Sequence, residues 1–380
     1  MKGIRCGKIF PWKANRMAFK ELELNMGPQH PSTHGVLRLK LAVDNEVVLS
    51  IEPIIGYLHR GMEKLWENLT YPQIVPLTDR LDYLAAVSNN LAYVLTVEKL
   101  MDLEIPKRAQ YIRVILAELQ RLASHLAAVG FMANDIGAMS VLLYCFQIRE
   151  GILDIFENYT GGRLTVHGMR IGGVPFDLDE KVTAMIRKTL AGIPEKIRDI
   201  EGLLNENRIW KHRTKGIGLI SPEDALARGL TGPALRATGV AWDIRKNIPY
   251  CSYEDFDFDV PVLKGGDVYD RYIVRMEEMR QSMRIIEQAL EKLPPGIFRA
   301  TVPHSLKIPV GEVFFTIEAP KGELGFYIKS NGTDKPERVK MKSPSFINLQ
   351  SLELMCKGNL FSDVVGILGS LDIVLGEIDK

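Results

Sequence analysis

The sequence predicts an α+β fold, a central helical bundle flanked by small β elements. Apolar residues recur at helical spacing through the middle of the chain, whereas short alternating runs bounded by glycine, proline or asparagine occur towards both ends. A composition of 46% hydrophobic and 25% charged residues over 380 positions is that of a chain able to bury a large core. No internal repeat or low-complexity segment interrupts it.

Residues 19–53 read as strands, with a turn at Asp44-Asn45 and a loop, Gly27-Pro28-Gln29-His30-Pro31-Ser32-Thr33-His34-Gly35, between strands at 19–26 and 36–41. Proline fixes φ and glycine permits tight turns, so this loop holds His30 and His34 on stiff backbone. Histidine changes charge near neutral pH. The two imidazoles either cap backbone groups in a well-made turn or carry protons at a site. From Gly56 the pattern becomes helical, over 83–101, 109–129, 141–159, 178–208 and 269–293. The 109–129 segment is the clearest, with Ile112, Ile115, Leu116, Leu119, Leu122, Leu126 and Val129 on one stripe and Pro106 where the helix would start. Pro294-Pro295-Gly296 ends the 269–293 helix. Strands return at 313–318, 324–330 and 338–341, the charged stretch 335–342 reading as a solvated turn and edge strand, before helices near Gln350 and Ser362. The chain therefore divides into 1–55, a β region with the histidine loop; 56–300, the helical core; and 301–380, a mixed α/β region.

Lys plus Arg is 48 against Asp plus Glu 47, and a net charge of +1 gives no electrostatic basis for binding nucleic acid. No uninterrupted apolar run approaches the ~20 residues that span a bilayer; the best candidate, 364–376, is short and contains Asp372. The first residues lack the pattern of a secretory signal, so the chain is expected on the cytoplasmic side. Cys6, Cys145, Cys251 and Cys356 form no C-x-x-C pair, which argues against a zinc or iron–sulfur site on this chain. Arg170-Ile171-Gly172-Gly173 lacks the spacing of a dinucleotide fingerprint.

Met26 to Arg38 through the histidine loop, Gly56-Tyr57-Leu58-His59-Arg60-Gly61-Met62-Glu63-Lys64, Asp79-Arg80-Leu81-Asp82-Tyr83, residues 113–125, Asp135-Ile136-Gly137-Ala138, Arg170-Ile171-Gly172-Gly173-Val174, Pro344-Ser345-Phe346 and 370–380 closely resemble, in order, the 49 kDa subunit family of respiratory complex I. The resemblance implies a fold like that of the nickel–iron hydrogenase large subunit. It implies a peripheral subunit, on the cytoplasmic face of the membrane, of a proton-pumping NADH:quinone oxidoreductase. The chain would bind no cofactor alone and would form a quinone-headgroup pocket beside an iron–sulfur cluster held by an adjacent small subunit. A 30 kDa-type subunit and a membrane subunit containing the quinone channel would be further partners.

By the same resemblance Tyr83 and His34 are the two donors to the quinone, Asp135 partners His34, His30 lies near the pocket, and Arg60 sits beside the neighbouring cluster. Quinone reduction puts charge on two carbonyl oxygens, which suits two positioned donors. Read without the resemblance, Asp135 is a helix-capping residue next to Asn134 and Arg60 a surface arginine. One family histidine position, counted back from Arg170, is Thr165 here, with His167 two residues later. A structural scaffold without quinone chemistry and a degenerate hydrogenase are the rival readings. The segments 79–85 and 372–377, where hydrogenases carry their cysteine pairs, contain none, so a thiolate metal site cannot be built there.

Overall fold

The computed structural model describes residues 22–29, 35–303 and 305–380. β1 (Leu22–Met26), β2 (Arg38–Asp44) and β3 (Val47–Ile54) form an antiparallel sheet in that order. Met26 pairs with Leu39 and Leu24 with Leu41. Leu39, Leu41 and Val43 point inward at period two, as the alternation requires. The turn between β2 and β3 places Asn45 at φ 54, a left-handed conformation that asparagine tolerates. The loop between β1 and β2 contains His30 and His34, and both lie outside the described residues.

The helical part comprises α1 (Met62–Trp66), α2 (Tyr71–Thr78), α3 (Ala86–Leu100), α4 (Lys107–Asp135), α5 (Met139–Thr160), α6 (Glu180–Leu204), α7 (Arg208–Thr214), α8 (Pro222–Ala227), α9 (Gly232–Arg236), α10 (Ile244–Asn247) and α11 (Val268–Glu291). β4 (Gly311–Ala319), β5 (Gly322–Ser330) and β6 (Pro336–Lys342) form a second antiparallel sheet with β6 at an edge. α12 (Pro344–Leu349), α13 (Leu352–Cys356), α14 (Asp363–Leu371) and α15 (Leu375–Ile378) complete the chain. α4 is the axis of the molecule, and α3, α5, α11 and α14 all pack on it.

Three sequence expectations need correction. The 83–101 helix begins only at Ala86, because Asp82 closes a turn first: its carboxylate accepts the Leu84 N–H and its carbonyl the Ala85 N–H. Tyr83 therefore sits in the turn ahead of α3. The 178–208 helix is two helices, because Asn207 caps a new one by accepting the N–H groups of Ile209 and Trp210. β6 is an edge, but its Arg338 reaches Glu63 of α1 and Glu67 just after it, so part of its face is covered rather than solvated.

The stripe on α4 also understates its burial. An 18-residue window of α4 has mean hydropathy 1.2, enough to cross a membrane by length and composition, yet 94% of it is buried inside the protein. Its polar residues are inside as well. Glu118 accepts hydrogen bonds from Arg245, Tyr253 and Ser282, and His125 faces Glu278 at 2.8 Å. Burial alone would raise the Glu118 carboxyl, but Arg121 and Arg245 outweigh it and hold it below the ordinary value. Arg236 continues this network by joining Glu278 to Glu318.

Candidate functional site

Four segments distant in sequence converge at one end of α4. Asp379 clamps the turn after β3, its two carboxylate oxygens accepting the N–H groups of Gly56 and Leu58 at 2.8 Å each. Arg60 follows in that turn, and its Nη2 donates to the carbonyls of Arg80 (2.8 Å) and Gly376 (3.1 Å). One guanidinium thus ties the 79–85 segment to the 372–377 segment. Both segments meet the C-terminal end of α4, where Asp135 is the last helical residue.

The convergence leaves a cavity of about 440 Å³, lined by Tyr83 and Leu84, by Ala128, Phe131, Asn134 and Asp135 of α4, by Asp372 and its neighbours, and by Gly35. That volume is in the range of small-molecule sites. Tyr83 and Asp135 therefore share one cavity, and Gly35 brings the chain next to His34 to its wall; His30 and His34 themselves lie outside the described residues. Burial raises the Tyr83 phenol above its ordinary value, and the charge of Asp82 adds to this, while Lys321 and Arg60 oppose it. The phenol thus stays protonated through neutral pH. Asp135 ends one helix, and the next is entered at Ala138, so Asp135 caps no helix N-terminus.

Behind the cavity lies a group that inspection of the sequence did not single out. The ammonium of Lys321 is 2.9 Å from Asp82 Oδ2 and 3.5 Å from Asp372 Oδ2, all three side chains being buried. Glu377 is the fourth member, fully buried, with a carboxylate oxygen accepting the Ser345 N–H at 3.0 Å. Burial would lower the Lys321 ammonium, but Asp372, Asp82 and Glu377 hold it above its ordinary value. The backbone aims Lys321 inward. Its turn joins β4 to β5 and lies so close to α9 that a Cβ on Gly232 would be 2.6 Å from the Lys321 carbonyl oxygen, while Asn348 donates to that same oxygen. The available signal was Asp372, a carboxylate inside the apolar run 364–376, which must find a partner if buried.

The family model described as respiratory-chain NADH dehydrogenase, 49 kDa subunit, matches residues 135–306 and 298–380. The chain belongs to this 49 kDa subunit family. Among its relatives, the second D-type subunit of the NADH-quinone oxidoreductase of Solibacter usitatus is 53% identical over 95% of this chain and 97% of that protein. The D-type subunits of the NADH-quinone oxidoreductases of Geotalea uraniireducens and Dehalococcoides mccartyi are each 52% identical over 94% of this chain and 98% of their own length.

In this family member the segments 79–85 and 372–377 come together through Arg60 and Lys321 and bring carboxylates, not thiols, to their meeting point. Cys145, Cys251 and Cys356 are buried elsewhere. Among the described residues no three His, Cys, Asp or Glu side chains are grouped to hold a metal ion. Thr165 lies in the loop after α5, and His167, two residues on, has φ 47 and faces the buried Asp79.

Proposed function

We propose that this chain is the subunit of a complex I-type NADH-quinone oxidoreductase that builds the quinone-headgroup pocket. Tyr83 and His34 donate to the two carbonyl oxygens, Asp135 stands behind His34, and His30 matches a family histidine near the same pocket. Electrons reach the quinone from an iron–sulfur cluster on an adjacent subunit, with Arg60 turned towards it. The observation that carries the reading is the shared cavity: Tyr83 and Asp135, 52 positions apart in sequence, line the same walls with Gly35 beside His34.

The fold we propose is that of the hydrogenase large subunit, with the former metal cavity given over to the headgroup. In support, the two segments that would carry cysteine pairs meet here and bear Asp82, Asp372 and Glu377 around Lys321. The chain sits peripherally against the membrane, and its neighbours supply the path for the isoprenoid tail. Met139, Leu143 and Tyr144 on the first turns of α5 are exposed, close in sequence to the cavity-lining Asp135. An apolar row of this kind is what a membrane subunit would cover.

The test is quinone-reductase turnover of the assembled complex carrying Tyr83→Phe. Removal of one general-acid hydroxyl is expected to lower turnover at least about tenfold with clusters intact. Unchanged turnover would refute the pocket.

A further inference from the structure

We propose that Glu377, Lys321 and Asp372 form a buried proton reserve behind the Tyr83 cavity, which reprotonates the phenol after it has given its proton to a reduced quinone. This rests on the quinone-pocket reading above and adds the residues that would resupply it. The geometry is a mismatch of charge. Asp82, Asp372 and Glu377 are each less than a tenth exposed, and the ammonium of Lys321 is the cation they share. Arg275 also acts on Asp372, but it is shared with Glu278. Three buried carboxylates around one ammonium are costly unless one carries a proton.

The contacts point to which one. Asp82 and Asp372 approach Lys321 at 2.9 and 3.5 Å, and the Lys321 ammonium also donates to Ser124. Glu377 has no cation within 4 Å among the described residues and accepts the Ser345 N–H, with Asp82 and Lys321 facing it and the Lys380 charge beyond. Arg60 stays on the neighbouring Gly376 carbonyl. Burial and the Asp82 charge push the Glu377 carboxyl up to about 7, with Ser345 and Lys321 opposing. Asp372 is the outlet: it lines the cavity with Tyr83, and its Oδ2 makes no hydrogen bond.

In the step itself two electrons pass one at a time from the iron–sulfur cluster of the adjacent subunit to the quinone, and the two protons that make it a quinol come from Tyr83 and, as proposed above, from His34. The Tyr83 O–H bond breaks as a quinol O–H bond forms; Glu377 then gives its proton to the Asp372 carboxylate, and Asp372 passes it on to the phenolate. Glu377 is left as a carboxylate until it takes a proton from solvent.

The experiment is the pH profile of quinone-reductase turnover for the assembled complex carrying Glu377→Gln, with Tyr83→Phe alongside. Wild-type kcat is expected to fall as pH rises through the Glu377 value near 7. The Gln variant should keep its KM, run about tenfold slower near pH 6, and show no such fall. An infrared difference spectrum should lose the carbonyl stretch of one neutral carboxylic acid. A Gln variant with the wild-type profile, or one retaining that band, overturns the reserve. If Gln prevents assembly, Glu377→Asp decides: a titratable replacement must keep the slope, and its loss overturns the proposal. Normal turnover of Tyr83→Phe would remove the pocket reading and the reserve together. Loss of turnover there with an unaltered Glu377→Gln profile would remove the reserve alone.

Discussion

Nδ1 of His167 lies 2.6 Å from Oδ2 of Asp79, and the Asp79 side chain is fully buried. Burial pushes the Asp79 carboxyl up to about 7 against the opposing effect of nearby donors, and burial likewise lowers His167. Both partners therefore lean towards their neutral forms, and Nδ1 of His167 makes no hydrogen bond, so the contact is not a fixed ion pair.

A folded-state value above the unfolded one makes stability greatest at low pH and lost as pH rises through the folded value. Asp79→Asn removes that loss. The full-length variant is expected to be ~2–4 kcal/mol more stable than wild type near pH 8, since each tenfold change in proton affinity is worth about 1.4 kcal/mol, with the gain shrinking as pH falls towards about 4. His167, whose lowered value works in the opposite sense, is kept in both chains, with the burial and the Arg170 and Arg80 charges that lower it. Urea denaturation across this range checks it; a gain that does not shrink on acidification would show that the carboxylate charge is not the cause.

Gly232 has φ 68, and a Cβ there would meet the backbone of both Lys321 and Gly322. Backbone cannot move aside as a flexible side chain can. Gly232→Ala should therefore cost ~2–3 kcal/mol in denaturation, as overpacking and a left-handed residue together would. Gly192, within α6 and with open space around it, is the control: Gly192→Ala should be neutral or stabilising.

Arg60 bridges two carbonyls with one nitrogen and leaves the rest of its guanidinium exposed. If that charge faces the neighbouring cluster, Arg60→Gln should lower the cluster's midpoint potential by on the order of tens of millivolts, because reduction adds negative charge. Redox titration of the assembled complex measures this, and an unchanged potential would place Arg60 away from the cluster.

What could be read from the sequence was what local periodicity or a contiguous motif carries. The spacing of Ile112, Leu116, Leu119 and Leu126 marked α4, and Tyr83 and Asp135 were named from motifs that keep their order. Lys321, Asp82, Asp372 and Glu377 come from three separate regions, brought together by the Arg60 bridge between two of them and by the close passage of the β4–β5 turn against Gly232. The buried polar groups of α4 are out of reach of periodicity for the same reason: Glu118 and His125 find their partners Arg245 and Glu278 on other elements.

Glu98 of α3 and Arg113 of α4 make a fully buried bidentate pair at 2.8 and 2.6 Å. The pair also builds the turn after Met169: Glu98 accepts the Gly172 N–H at 2.7 Å, and Arg113 donates to the carbonyls of Arg170 and Gly173. Glu98→Ala leaves a guanidinium buried against carbonyls alone, so a loss of ~3–5 kcal/mol is expected in urea denaturation. Replacing both partners, Glu98→Leu with Arg113→Met, removes the stranded charge, and part of the loss should return although two more hydrogen bonds to the turn are gone. A double variant worse than the sum of the singles would mean that the turn, and not the buried charge, dominates the energy at this junction.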